Sequence, residues 1–95
     1  FSVILQGVPE DVDMVHLKEK LSQIKDVREI TDLHLWTMDG EHHIATLHAR
    51  VRKGIPPEHF SEIKNQIRAI LKHYKATHIT IEIEEGDAGS QLLKH

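Results

Sequence analysis

Cysteine is absent from this sequence of 95 residues, which excludes a disulfide framework, a thiolate metal centre and a thiol nucleophile. Any metal must be taken by nitrogen and oxygen donors, and thiol usage says nothing about the redox compartment. Long apolar runs are missing as well: no stretch approaches the roughly 20 residues that a membrane helix needs. Nor is there an excess of positive charge. Twelve Lys and Arg against fifteen Asp and Glu leave a formal charge of −3, with no basic cluster able to neutralise a nucleic-acid backbone. Nucleic acid is therefore not an expected partner. Enzyme signatures are also lacking, since there is no glycine-rich phosphate loop, no helical His-Glu-x-x-His pair and no serine nucleophile in a recognisable setting.

Histidine is what the chain has in quantity. Nine are present, at positions 16, 34, 42, 43, 48, 59, 73, 78 and 95, scattered rather than gathered into a purification-tag run. The 39% hydrophobic and 28% charged shares are those of an ordinary globular chain, and the length has room for one domain. The chain opens at Phe1 rather than methionine, so it reads as a piece of a longer polypeptide or a processed form.

The hydrophobic pattern gives the elements in order. Residues 1–9, punctuated by Gly7 and Pro9, read as a linker or short edge strand. Asp11 or Asp13 can cap a helix carrying Met14, Leu17, Leu21 and Ile24 on one face. From Val27 to Thr37 the period becomes two, placing Leu33 and Leu35 on one face and Asp32, His34 and Trp36 on the other. Asp39-Gly40 signals a hairpin, because both residues tolerate positive φ. The second strand, His43 to Val51, sets Ala45, Leu47, Ala49 and Val51 against Ile44, Thr46, His48 and Arg50.

Pro57 suits the first turn of a helix, whose buried stripe is Phe60, Ile63, Ile67, Ile70, Leu71 and Tyr74. A last strand follows Lys75, with Ile79, Ile81 and Ile83 opposite His78, Thr80, Glu82 and Glu84. The expected fold is α+β, ordered α-β-β-α-β, with two helices on one face of a three-stranded sheet. The folded domain is expected over residues 10–85 and a flexible tail over 86–95.

Two helices leave the other sheet face to water or a partner. His48 with Glu82 or Glu84 would lie there within ligand reach if the last strand pairs beside the second. Neutral imidazole and carboxylate oxygen suit zinc and its first-row neighbours. The alternative is a surface histidine with glutamates that keep a sheet edge soluble. Trp36 on that face reads as an interface anchor or as packing against the linker. His42 and His43 lie just past the turn, where a mobile site could form, and His16, His59 and His73 read as surface residues of the helices.

Three segments taken together resemble a known family. They are Gly7-Val8-Pro9 with Val12 and Asp13, Asp32-Leu33-His34-Leu35-Trp36-Thr37, and Leu47-His48-Ala49, with a weaker match over Thr80 to Glu84. This order is similar to the cytoplasmic C-terminal domain of cation diffusion facilitators, zinc transporters that exchange metal for protons. The resemblance implies a metallochaperone-like (ferredoxin-like) fold and a homodimer. It also implies a membrane domain in the same chain, a place on the cytoplasmic face of a membrane, and divalent metal, Zn2+ or a related first-row ion, near the dimer interface.

Carried onto this sequence, the family's ligands fall on His48, Glu82 and Glu84. A further family histidine falls on Thr31, a poor zinc ligand, so the set would be completed by His34, by a water or by a histidine from another segment. Two other readings stay open: a structural dimerisation module with a degenerate metal site, and a freestanding soluble metal-binding protein.

Overall fold

The computed structural model describes residue 9 and residues 12–86. The elements are α1 (Met14–Ser22), β1 (Val27–Thr37), β2 (His43–Val51), α2 (Pro57–His73) and β3 (Ala76–Glu85). The linker and tail expected over 1–9 and 86–95 lie outside the described residues, save Pro9 and Gly86.

Asp13 is the cap of α1, its Oδ1 accepting the His16 N–H at 3.1 Å, which answers one of the N–H groups a helix start leaves open. α2 starts with Pro57 in its first turn and has no side-chain cap. Proline there sacrifices no helical hydrogen bond.

The sheet runs β1-β2-β3, with β1 antiparallel to β2 and β2 parallel to β3. A parallel neighbour requires a crossover, which α2 supplies. Strand β3 therefore pairs directly beside β2, the condition on which the expected metal pair depends. Both helices pack on one face: Leu17, Leu21, Ile63, Ile67 and Leu71 meet Ala45, Leu47, Ala49 and Val51 of β2 in one buried cluster. Each fully buried aliphatic side chain stabilises this layer by about 1.5–3 kcal/mol, and the two alanines let the helices approach the central strand.

Two features depart from strict sequence patterning. The register of β1 against β2 shifts between Thr31 and His34, where Asp32 holds a φ of 52°. This bulge puts both Ile30 and Leu35, each 1% exposed, on the helix-covered face. Five positions apart, they would otherwise face opposite ways. The hairpin is also wider than a two-residue turn. Gly40 has a φ of 89° but Asp39 does not have positive φ. Instead the Met38 N–H donates to His42 O at 3.1 Å and closes loop 38–42.

Candidate metal centre on the uncovered sheet face

The register builds the uncovered face in rows. Thr31, His48 and Glu82 form one row, and Glu29, Arg50 and Glu84 the next. On the other side of His48 lie His34, Thr46 and Thr80, then Trp36, Ile44 and His78. Alternation along β2 sends even-numbered residues to this face, so His48 points away from the helices as its pattern predicts.

His48 is the centre of the site. Its Nε2 lies 3.4 Å from Glu82 Oε1 and its Nδ1 lies 3.7 Å from Asp32 Oδ2. A carboxylate therefore stands at each ring nitrogen, just beyond hydrogen-bond length. The side chains of His48, Asp32 and Glu82 are 45%, 68% and 70% exposed, so an incoming ion meets little steric obstruction. Asp32, His34, Thr46, His48, Thr80 and Glu82 line a shallow depression of about 280 Å³ over this row.

The expected ligands fare differently. Glu82 is beside His48, and His34 is one row away in the same depression. Glu84 stands opposite Arg50, whose guanidinium pairs with Glu29. The sequence places Asp32 on the face of His34 and Trp36 and within a motif, but not among the expected ligands. Its approach to His48 depends on the bulge, and the one local signal was that aspartate tolerates a left-handed backbone.

His42 and His43 do not form a common site. His42 pairs through Nδ1 with Asp39 Oδ2 at 2.8 Å in the exposed loop, while His43 is 3% exposed on the helix side. The donor types fit a borderline divalent ion, but no group of three or more His, Asp or Glu converges for one among the described residues. One protomer thus offers an incomplete set. Thr31 is the cross-strand neighbour of His48, and its hydroxyl is a poor ligand for a zinc-class ion.

The model of the family described as cation efflux protein, cytoplasmic domain, matches residues 9–86. The chain belongs to that family. This cation-efflux domain is 35% identical over 83 residues, 87% of the chain, to a probable zinc transporter protein of Dictyostelium discoideum. It is also 35% identical over 92 residues, 95% of the chain, to zinc transporter ZitB of Yersinia pseudotuberculosis.

The domain spans only 15% and 28% of those relatives' lengths. Its fold is shared with the metal-bound C-terminal domain of the CzcD transporter from Cuprividus metallidurans, at a TM-score of 0.65 and 24% identity. That match covers 77% of this chain and 99% of the other. The α-β-β-α-β architecture expected from the sequence is thus the family's own. No helix among the described residues of the domain is long and apolar enough to cross a membrane.

Proposed function

We propose that this chain is the cytoplasmic regulatory and dimerisation domain of a proton-coupled divalent-cation efflux transporter, and that it holds a zinc-class ion near its dimer interface. The observation that carries this reading is His48, flanked by Glu82 at Nε2 and Asp32 at Nδ1 on the sheet face that no helix covers.

Nε2 of His48 and the Glu82 carboxylate are the primary ligand pair. Asp32 stands 3.7 Å from Nδ1, and a small closure of that gap on ion binding would let it accept the Nδ1–H, an arrangement that fixes the tautomer and raises the basicity of the coordinating nitrogen. His34 is the second imidazole lining the depression. Glu84 has the lesser part, because Arg50 stands opposite it. Two donors from each of two protomers would fill a four-coordinate site that one protomer leaves open.

An ion bound between protomers favours the closed pair by mass action, since it adds free energy only to the form that brings both ligand sets together. Protons compete for the imidazole nitrogen, so affinity falls on acidification. Calorimetric zinc titration of the wild type and of His48→Ala tests the site. Loss of binding in the variant is expected, and equal affinity in the two would remove His48 from it.

One observation favours a second reading. Thr31, a poor ligand, stands across from His48, as it would in a structural dimerisation module whose metal site has degenerated. That module would give the same compact dimer in X-ray scattering with and without zinc.

A further inference from the structure

At the end of β2 away from Arg50, on the helix-covered side, lies a cavity of about 340 Å³ separate from the His48 row. It is lined by His16 and Lys20 of α1, His43 of β2, and His73, Tyr74 and Lys75 at the close of α2. His43 is its buried member, 3% exposed. Its Nδ1 is shielded from solvent and has no hydrogen-bond partner among the described residues. A buried polar atom left without a partner destabilises a fold, so a ligand that supplies the partner is favoured.

The cavity wall is held in place. The His43 N–H donates to Lys75 O at 3.1 Å, and Lys75 sits at a φ of 68°. Glycine usually takes that left-handed position after a helix, and a lysine adopts it only against a steric cost. The turn places Lys75 in the cavity lining.

The chemistry of the lining selects the ligand. Among the described residues no Asp or Glu lines the cavity, and Val12 is its apolar member. Two ammonium groups repel a divalent cation, and no cluster of three metal-ligating side chains is geometrically able to hold one among the described residues. At the C-terminal end of α2 the Leu71 and Lys72 carbonyls accept the Tyr74 and Lys75 N–H groups, which leaves fewer of its terminal acceptors open. Ammonium groups and ring N–H groups are the donors that charge-assisted binding of an oxyanion uses. We infer that this cavity binds a phosphate-class oxyanion, either free phosphate or the headgroup of an acidic lipid.

The test is an NMR titration of the 95-residue chain with inorganic phosphate, beside co-sedimentation with vesicles of phosphatidylcholine alone or with phosphatidylglycerol added. Saturable shifts centred on His16, His43 and Lys75 are expected. The double variant Lys20→Gln/Lys75→Asn should bind phosphate roughly tenfold or more weakly with an unchanged melting temperature, since two charged donors are lost. Asparagine tolerates the left-handed turn. Lys20→Gln alone, on an exposed helix face, gives the same answer should the turn be disturbed.

Lysine-dependent sedimentation confined to the acidic vesicles would assign the headgroup, and saturable phosphate binding without sedimentation would assign the free anion. Either supports the site. Equal phosphate affinity in wild type and variants, shifts that rise linearly over the whole surface, or zinc binding at these signals that strengthens when the lysines are removed would overturn it.

Discussion

Asp32 adopts a left-handed backbone, φ 52°, and brings its Oδ2 within 3.7 Å of His48 Nδ1 on the neighbouring strand. The bulge therefore does two things at once: it returns Leu35 to the core face, and it aims a carboxylate at the proposed ligand.

Asp32→Asn separates these roles. Asparagine tolerates the same backbone, so the melting temperature should hold, while loss of the orienting charge should weaken zinc binding by about tenfold or more. Asp32→Val should instead lower stability by roughly 1–2 kcal/mol, because a β-branched residue is strained at positive φ. Thermal melts and calorimetric zinc titration on the same samples check both. Unchanged zinc affinity in the asparagine variant would leave Asp32 with the bulge alone.

Thr31 faces His48 across the β1–β2 pair, so Thr31→His places a second imidazole in the row of His48 and Glu82. Zinc affinity should rise by roughly tenfold or more, since each ligand of a zinc site contributes a few kcal/mol of binding free energy. A titration showing no gain would argue that the row is not where the ion sits.

Ile30 offers a direct test of the bulge. It is 1% exposed beneath the helices, so Ile30→Ala should cost about 2–5 kcal/mol, the range for deleting a buried aliphatic side chain. A denaturant melt reads this. A loss of only a few tenths would mean that Ile30 faces outward, as uninterrupted alternation from Leu33 would have it.

Element order, strand limits and the facing of His48 were legible because period-two and helical spacing are strong in this chain, as in Ala45 to Val51 and Ile63 to Leu71. What alternation could not show was a change of phase. The burial of Ile30 and the placing of Asp32 beside His48 both follow from one residue in a left-handed conformation, and a bulge leaves no mark on polarity that distinguishes it from an ordinary strand position. The wide hairpin escaped for a related reason: Asp39-Gly40 also suits a loop in which Asp39 Oδ1 accepts the Glu41 and His42 N–H groups at 2.9 and 2.7 Å. His43 is in phase with Ala45 and Leu47, but its place beside the turn and its polarity mark it as a surface residue, so its burial was not legible. Beside His48, Glu82 was separable from Glu84 only once the β2–β3 register was known.

The Asp39–His42 pair gives the hairpin a defined pH response. The Asp39 carboxylate raises the His42 pKa above its ordinary 6.5 through their hydrogen bond. The same bond, with the backbone N–H groups of His42 and Glu41, holds Asp39 below its ordinary 3.8. The contribution from His42 is complete below 6.5 and lost as pH rises through its raised value. That from Asp39 is complete above 3.8 and lost as pH falls through its lowered value. The turn is accordingly best supported between these limits. Asp39→Asn keeps an acceptor for the two N–H groups and removes the charge, so the His42 midpoint in an NMR titration should fall. An identical midpoint in both proteins would show that the pair does not form in solution.

Trp36 and Ile44 share a row on the uncovered face, half-buried, and the Trp36 Nε1 is shielded without a partner among the described residues. Large aromatic side chains at the centre of an interface commonly contribute about 2 kcal/mol or more to association. If this face joins two protomers, Trp36→Ala should weaken the dimer by roughly thirtyfold or more in sedimentation equilibrium, while a denaturant melt shows a smaller change. Zinc then distinguishes an interface that holds the ion from one that lies beside it. An ion bridging both protomers through His48 should partly restore the Trp36→Ala dimer, because it strengthens only the associated form, and Trp36→Ala/His48→Ala should lose that rescue. Association unchanged by the tryptophan substitution would place the dimer contact elsewhere. Zinc rescue that survives removal of His48 would move the ion to other ligands.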